Sequence, residues 1–170
     1  MNNINVERIL ESRKKLESGE MPEHRIFEVE GSWNFGETQF SAELKFENGS
    51  ITLFTDQPTP SGGNGNAPNP VQYCVFSMVA CYCTTFMTLA ALKGVEIKSL
   101  RARGYSKVNM KAVFEIADAP VVEEVGVFLE VESDAPFEVL NEIRELADKK
   151  CPAAYTVSNP VPFKSEIKKL

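Results

Sequence analysis

Hydrophobic and polar residues alternate along the chain with two different periods. Residues 5 to 18 place apolar side chains three or four positions apart among charged ones, which predicts a short amphipathic helix. Residues 40 to 47 alternate strictly, as in a half-buried strand, and residues 50 to 55 form the returning strand. Asn48-Gly49 between them predicts a hairpin turn with positive φ at both residues. An earlier strand, over residues 25 to 32, is predicted to pair into the same sheet.

A long uncharged segment occupies the middle of the chain. Residues 56 to 70 are rich in Pro, Gly and Asn and predict a loop, after which Pro70 opens a helix that ends at Lys93-Gly94. Residues 71 to 92 are long enough to span a bilayer. We interpret them instead as a helix buried on all sides, because the segment has no arginine-rich flank and carries five polar residues. These are Gln72, Ser77, Thr84, Thr85 and Thr88.

The remainder of the chain predicts further strands and a second amphipathic helix. The helix begins at Pro136 with Phe137, Leu140, Ile143 and Ala147 facing inward, and it ends at Pro152. The predicted strands cover residues 95–105, 108–116 and 125–131, with a possible edge strand over 161–167.

This order of elements indicates an α+β fold with antiparallel sheets around the long central helix. We divide the chain into an N-terminal helical extension, residues 1–24, and one domain, residues 25–170. A helix that is apolar all round needs more cover than one chain of this size offers. We therefore predict a homodimer.

Composition and charge narrow the classes of function. Of the 170 residues, 43% are hydrophobic and 25% charged, which is typical of a globular domain with a real core. The net charge of −6 provides no field to hold a phosphate backbone, so we do not expect nucleic acid as a partner. The first eight residues lack the apolar core of a signal peptide. We therefore predict a cytoplasmic protein, away from membranes, whose four cysteines start as thiols.

Small polar residues form a stripe along one face of the long helix. They are Cys74, Ser77, Cys81, Thr84 and Thr88. One interpretation is close helix packing, with hydroxyls bonded to carbonyls of the preceding turn. The other is a site centred on Cys81. Cys83 lies about 200° around the helix, so it cannot bond to Cys81 without unwinding it.

Cys151 is the plausible redox partner of Cys81. Pro152 suits the first position of a new helical turn, whose positive end would favour a Cys151 thiolate. The alternative is that Cys151 only packs at a helix end. A zinc site is disfavoured because no Cys-x-x-Cys spacing is present. A Cys-His hydrolase is weakly supported by the lone His24, and Gly62 to Asn66 lack the Lys-Ser/Thr end of a phosphate loop.

Taken together, five short motifs resemble the OsmC/Ohr family of organic hydroperoxide reductases over residues 25 to 170. They are Asp56-Gln57-Pro58, Gly62-Gly63, Ala67-Pro68-Asn69-Pro70, Ala80-Cys81 and Cys151-Pro152. The resemblance implies an OsmC-like fold and an interwoven homodimer with its active sites at the subunit interface. It also implies a peroxidase that limits oxidative stress, with Cys81 attacking a small organic hydroperoxide and Cys151 closing a disulfide. An external dithiol then reduces that disulfide, and no cofactor or metal takes part.

The sequence departs from the family pattern around the helix start. The family places a glutamate directly after Asn-Pro and an arginine in the N-terminal hairpin or the preceding loop. Here Val71 and the neutral Gln72 follow Pro70, and no Arg or Lys lies between Lys45 and Lys93. The remaining candidate cations are Arg25, Arg101 and Arg103. Without a nearby cation, burial should raise the pKa of Cys81.

The departures leave two alternatives to a peroxidase. One is an OsmC-like protein that binds an apolar ligand at the dimer interface or senses redox state. The other is a dimer in which the polar stripe serves packing alone. Five apolar residues on the long helix would suit a fatty or aromatic substrate over a small polar one: Val75, Phe76, Val79, Tyr82 and Phe86.

Overall fold

The computed structural model describes residues 1–169, which form two compact units. One unit contains residues 7–76. The other contains residues 1–6 together with the chain from residue 77 onward. The main elements are α1 (Val6–Glu17), β1 (Gly31–Trp33), β2 (Phe40–Phe46), β3 (Gly49–Thr55), α2 (Pro70–Leu92), β4 (Ser99–Val108), α3 (Met110–Val113), β5 (Val122–Glu132), α4 (Phe137–Lys150) and α5 (Pro152–Ser158).

The unit of residues 7–76 holds a three-stranded antiparallel sheet in the order β1-β2-β3. Strand β1 has three residues, so the predicted strand over residues 25 to 32 was wrong for most of its length. The β2-β3 hairpin forms as predicted, but its turn is displaced by one residue. Phe46 pairs with Gly49, so Glu47 and Asn48 are the central residues, and neither has a positive φ.

A buried carboxylate organises the loop between β3 and α2. Asp56 is 1% exposed, and its Oδ2 accepts hydrogen bonds from the backbone N–H groups of Asn64 (3.1 Å) and Asn66 (3.0 Å). Gly63 packs so closely on Gln57 that a Cβ would lie 1.9 Å from the Gln57 carbonyl oxygen. Gly63 therefore serves the closure of the predicted loop around Asp56.

The other unit holds the antiparallel pair β4-β5. Strand β4 begins at Ser99, after the left-handed Gly94 that ends α2 as predicted. The strand predicted over residues 108–116 was wrong: Asn109 caps α3 by accepting from Lys111 and Ala112, which turns the backbone into a short helix. No strand forms over residues 161–167 either, where Pro160 and Pro162 each remove a ladder donor.

The core of this unit lies between α2, the β4-β5 pair and α4. Its buried members are Tyr82, Phe86, Ala90, Ile97, Ile143, Ala147 and Cys151. Helix α4 buries Ile143 and Ala147 as predicted, whereas Phe137 is 75% exposed, contrary to the prediction. The second amphipathic helix thus confirms its period, and of its four predicted inward residues Phe137 alone lies outside the core.

Helix α2 is not buried on all sides within one chain. Five of its 23 residues are buried, all from Met78 onward. Four of them follow a spacing of four residues along one face, through Met78, Tyr82, Phe86 and Ala90, and Ala91 is the fifth. The single chain therefore covers this helix only in part, as expected for an apolar helix in a chain of this size.

By length and composition, α2 is the one helix within residues 1–169 that is apolar enough to cross a membrane. Such a single helix is weak evidence for a span, since the core helix of a soluble protein meets the same criteria.

Candidate thiol site

Helix α2 starts with a reciprocal capping box. The backbone N–H of Gln72 donates to Asn69 Oδ1 at 2.9 Å, and the N–H of Asn69 donates to Gln72 Oε1 at 2.9 Å. Pro70 occupies the first helical position, where its missing N–H costs nothing. The neutral Gln72, which stands out against the family pattern, is thus occupied in starting the helix that carries Cys81.

The structure brings Cys81 and Cys151 together, although they are 70 residues apart in sequence. The Cys151 thiol donates to Cys81 Sγ at 3.5 Å. A disulfide bond is about 2.05 Å long, so the sulfurs need to approach by about 1.5 Å to bond. Cys151 is completely buried, whereas Cys81 is half-buried and forms the accessible side of the pair.

Cys151 lies at the junction of two helices. Its backbone N–H donates to Ala147 at the end of α4, and its side chain caps the start of α5 by accepting from Ala154 N–H at 3.5 Å. Pro152 has no N–H to offer, so the first free donor of α5 belongs to Ala153. That N–H donates to the sulfur of Cys81. The start of α5 therefore holds both sulfurs, as the Cys-Pro sequence predicts for Cys151.

Electrostatics favour the neutral thiol at Cys81. Burial is the largest influence and raises the pKa of Cys81, as predicted. The Ala153 N–H lowers that pKa. The neighbouring Cys151 raises it, first through the hydrogen bond between the two thiols and then through repulsion between two sulfur anions. None of the groups in residues 1–169 that shift the pKa of Cys81 is a cation.

Two of the predicted cations, Arg101 and Arg103, lie in the same unit as this pair but do not act on it. Arg103 lies over the ring of Phe128 on the β4-β5 pair, with its guanidinium carbon 5.2 Å from the ring centroid. Neither Arg103 nor Arg101 is among the groups that shift the pKa of Cys81. Arg25 is exposed in the unit of residues 7–76, as is His24.

The structure supports in part both interpretations of the polar stripe of α2, helix packing and a site centred on Cys81. Thr84 donates to the carbonyl of Ala80 at 2.8 Å, which is the predicted bond to the preceding turn. Cys74, Ser77 and Thr84 are exposed, whereas Cys81 packs against the core of its own chain. Cys81 contacts the thiol of Cys151.

Cys83 belongs to neither the stripe nor the pair. It is half-buried, and burial raises its pKa, with a smaller contribution from Cys151. Within residues 1–169, no group of three or more His, Cys, Asp or Glu side chains is arranged to hold a metal ion.

Sequence reasoning missed the partners of Tyr82. It assigned Tyr82 and Phe86 to a substrate surface, but these side chains are 6% and 1% exposed and belong to the core. The Tyr82 hydroxyl donates to Asp148 Oδ1 at 2.5 Å, and Asp148 Oδ2 accepts from Arg144 Nη1 at 2.6 Å. Burial, followed by Asp148, raises the pKa of Tyr82. The i,i+4 spacing of Arg144 and Asp148 was the one available signal.

These features define a small α+β protein with two thiols at the start of a Cys-Pro helix. The model of the OsmC-like protein family matches residues 63–166, which covers more than half of the chain and all four cysteines. The chain belongs to this family. No protein of curated function matches it in sequence.

Solved structures of the same class have the same fold. An OsmC-like protein from Mycoplasma pneumoniae is 17% identical with a TM-score of 0.59, over 78% of this chain and 87% of that chain. An organic hydroperoxide resistance protein from Elizabethkingia anophelis is 14% identical with a TM-score of 0.58, over 79% and 90%. An organic hydroperoxide resistance protein OsmC from Legionella pneumophila is 15% identical with a TM-score of 0.56, over 79% and 92%. At these identities the likeness shows the fold, and the predicted α+β, OsmC-like class is confirmed.

Proposed function

We propose that the chain reduces organic hydroperoxides with Cys81 as the attacking thiol and Cys151 as the resolving thiol. The observation that carries this proposal is the 3.5 Å separation of the two sulfurs at the start of α5. Membership of the OsmC-like family, and the names of the neighbours from Elizabethkingia anophelis and Legionella pneumophila, support the same chemistry.

The proposed reaction proceeds in three balanced steps. The Cys81 thiolate attacks the terminal peroxide oxygen, so an S–O bond forms, the O–O bond breaks and the leaving alkoxide takes a proton to become an alcohol. The Cys151 sulfur then attacks the sulfenic acid, so the S–S bond forms and hydroxide leaves with the Cys151 proton as water. An external dithiol supplies the two electrons that restore both thiols and is itself oxidised to a disulfide.

The geometry assigns different tasks to the two sulfurs in this scheme. Cys81 is the more accessible of the pair, which suits the thiol that meets the peroxide. Cys151 is fully buried, so thiols and peroxide in solution reach it poorly. Its available reaction partner is the neighbouring sulfur of Cys81. The Ala153 N–H lies where negative charge develops on Cys81.

Oxidation by one equivalent of cumene hydroperoxide, followed by mass-spectrometric peptide mapping, tests the pairing. We expect a Cys81–Cys151 disulfide in the wild type, a trapped Cys81 sulfenic acid in Cys151→Ser, and no oxidation at Cys151 in Cys81→Ser. Cys83→Ser is the matched control, because Cys83 is also half-buried on α2 but lies outside the pair. A disulfide that involves Cys83, or four intact thiols, would contradict the proposal.

A second candidate function is an OsmC-like protein without peroxidase activity, which binds an apolar ligand or senses redox state. The raised pKa of Cys81, with no cation among the groups that shift it, favours this candidate. Slow and unselective thiol chemistry is its expected signature. Equal rates with hydrogen peroxide and cumene hydroperoxide would support it over the first proposal.

We also propose that the chain acts as a homodimer in a reducing cytoplasm, with the hydroperoxide or apolar ligand and the dithiol as its other partners. The exposed apolar side chains of α2 support the dimer: Phe76 is 70% exposed, and Val71 and Leu92, near the two ends of the helix, are exposed as well. Surfaces of this kind on a soluble protein mark interaction sites.

A further inference from the structure

The aromatic residue next to Cys81 connects α2 to the end of α4. Tyr82 is 6% exposed, and its hydroxyl reaches past the core to Asp148 Oδ1 (2.5 Å) and the carbonyl oxygen of Arg144 (3.4 Å). Asp148 is in turn held by the Arg144 guanidinium at 2.6 Å. The connection is thus one buried ring with a polar end that is itself fixed by an ion pair.

This connection lies within one helical turn of a thiol along each helix. On α2, Tyr82 directly follows Cys81. On α4, Arg144, Asp148 and Cys151 are spaced four and three residues apart, so they share one face of the helix. Cys151 ends α4 through its bond to Ala147, and no loop intervenes that would absorb a shift of the helix.

Any sliding of α4 along α2 would therefore change the distance between the sulfurs. The S–S bond needs an approach of about 1.5 Å from 3.5 Å, and reacting groups that are misplaced by about 1 Å can lose about 100-fold in rate. Tyr82 belongs to the same core cluster as Ile143 and Ala147 of α4. Apolar packing is non-directional, whereas the hydrogen bond from the Tyr82 hydroxyl to Asp148 is a directional contact that fixes the register of the two helices.

We propose that Tyr82, held by Asp148, is a positioning residue that sets the register of α2 on α4 and so places Cys151 for attack on oxidised Cys81. This role rests on the proposed function and deepens it. Tyr82 does not touch the peroxide, and its effect falls on the disulfide-forming step. That step joins Cys151 sulfur to Cys81 sulfur, breaks the S–O bond and releases water.

The test measures disulfide closure separately from peroxide attack. Sulfenic acid is formed by a pulse of cumene hydroperoxide, and closure is followed by quenching with a sulfenic-acid trap and mass spectrometry. We expect Tyr82→Phe and Asp148→Ala to slow closure about 10- to 100-fold, while the rate of Cys81 oxidation changes less than about threefold. Asp148→Asn retains an acceptor for the hydroxyl, so it should restore closure to near the wild-type rate.

Tyr105→Phe is the matched control. Tyr105 also donates its hydroxyl to a carboxylate, Glu124, but on the β4-β5 pair at the outer face. The Tyr105→Phe variant should close the Cys81–Cys151 disulfide at the wild-type rate. Closure in Tyr82→Phe at the wild-type rate would overturn the proposal, and so would a lowered melting temperature with unchanged closure, since that is a structural role alone.

A second readout needs no peroxide and separates the two proposals. Equilibration of the protein with reduced and oxidised glutathione gives the effective concentration of the Cys81–Cys151 pair, because two glutathione molecules are released for each disulfide formed. We expect Tyr82→Phe to lower that effective concentration about 10-fold. If the wild type does not reduce peroxide but Tyr82→Phe still lowers the effective concentration, the peroxidase proposal is overturned and the positioning role is supported. Equal effective concentrations would overturn the positioning role even in an active peroxidase.

Discussion

At the scale of single residues, Cys81 is partly exposed to solvent, and its thiol is protonated in most molecules at neutral pH. Burial raises the pKa of its thiol and the Ala153 N–H only partly opposes this, so few molecules carry the thiolate at neutral pH. Since the thiolate is the nucleophile, peroxide attack should accelerate as the pH rises.

We predict that the pKa of Cys81 in the reduced protein lies above the free-thiol value of about 8.5. The rate of Cys81 alkylation by iodoacetamide, resolved by mass spectrometry at each pH, should therefore rise at higher pH than that of glutathione measured in parallel. The same shift has a consequence for stability. A thiol whose pKa is raised on folding contributes stability below its unfolded pKa, and that contribution is lost as the pH rises through the folded pKa.

A Cys81 pKa well below 8.5 would contradict this prediction. It would also remove the observation that favours the second candidate function, because a thiolate present at neutral pH implies a cation or donor beyond Ala153.

At the scale of elements, the sequence predicted the features that depend on hydrophobic periodicity and on residues that start or end a helix. Pro70 and Gly94 mark the ends of α2, and strict alternation marks β2, because these signals act locally. The incorrect predictions fall where two local structures compete for the same residues. Asn109 diverts an apparent strand into α3 through two side-chain hydrogen bonds, and the β2-β3 turn forms one residue earlier than Asn48-Gly49 suggests.

The site was predictable in the same uneven way. The proximity of Cys81 and Cys151 was predicted, because Cys83 points to another side of the helix and the Cys-Pro sequence resembles a motif of the OsmC/Ohr family. The Tyr82–Asp148 bond was not found, since it joins residues 66 positions apart and a tyrosine on an apolar helix is ordinarily read as core. The role of Gln72 was missed as well, because the capping box was not sought in a helix that proline already marked.

At the scale of the whole molecule, each chain leaves much apolar surface uncovered. Beyond the exposed face of α2, Phe35 is 99% exposed, and Phe163 and Ile167 are 91% and 99% exposed. A soluble protein seldom leaves so many large apolar side chains in water without a partner surface.

We predict that the protein in solution has about twice the 18.9 kDa mass of one chain, as measured by light scattering after size-exclusion chromatography. Phe76→Glu places a charge on the uncovered face of α2 and should shift the mass toward one chain. Glu11→Lys, a charge change on the exposed face of α1, is the control and should not. A wild-type mass of one chain at micromolar concentration would contradict the dimer.

The measurement that tests the central claim most directly is the consumption of cumene hydroperoxide by the purified protein with excess dithiothreitol. We predict catalytic turnover for the wild type and Cys83→Ser, a loss of at least about 100-fold for Cys81→Ser, and a smaller loss for Cys151→Ser, because external thiol can reduce a sulfenic acid slowly. Consumption no faster than with dithiothreitol alone, or equal consumption by wild type and Cys81→Ser, would contradict the claim that this thiol pair is a hydroperoxide reductase.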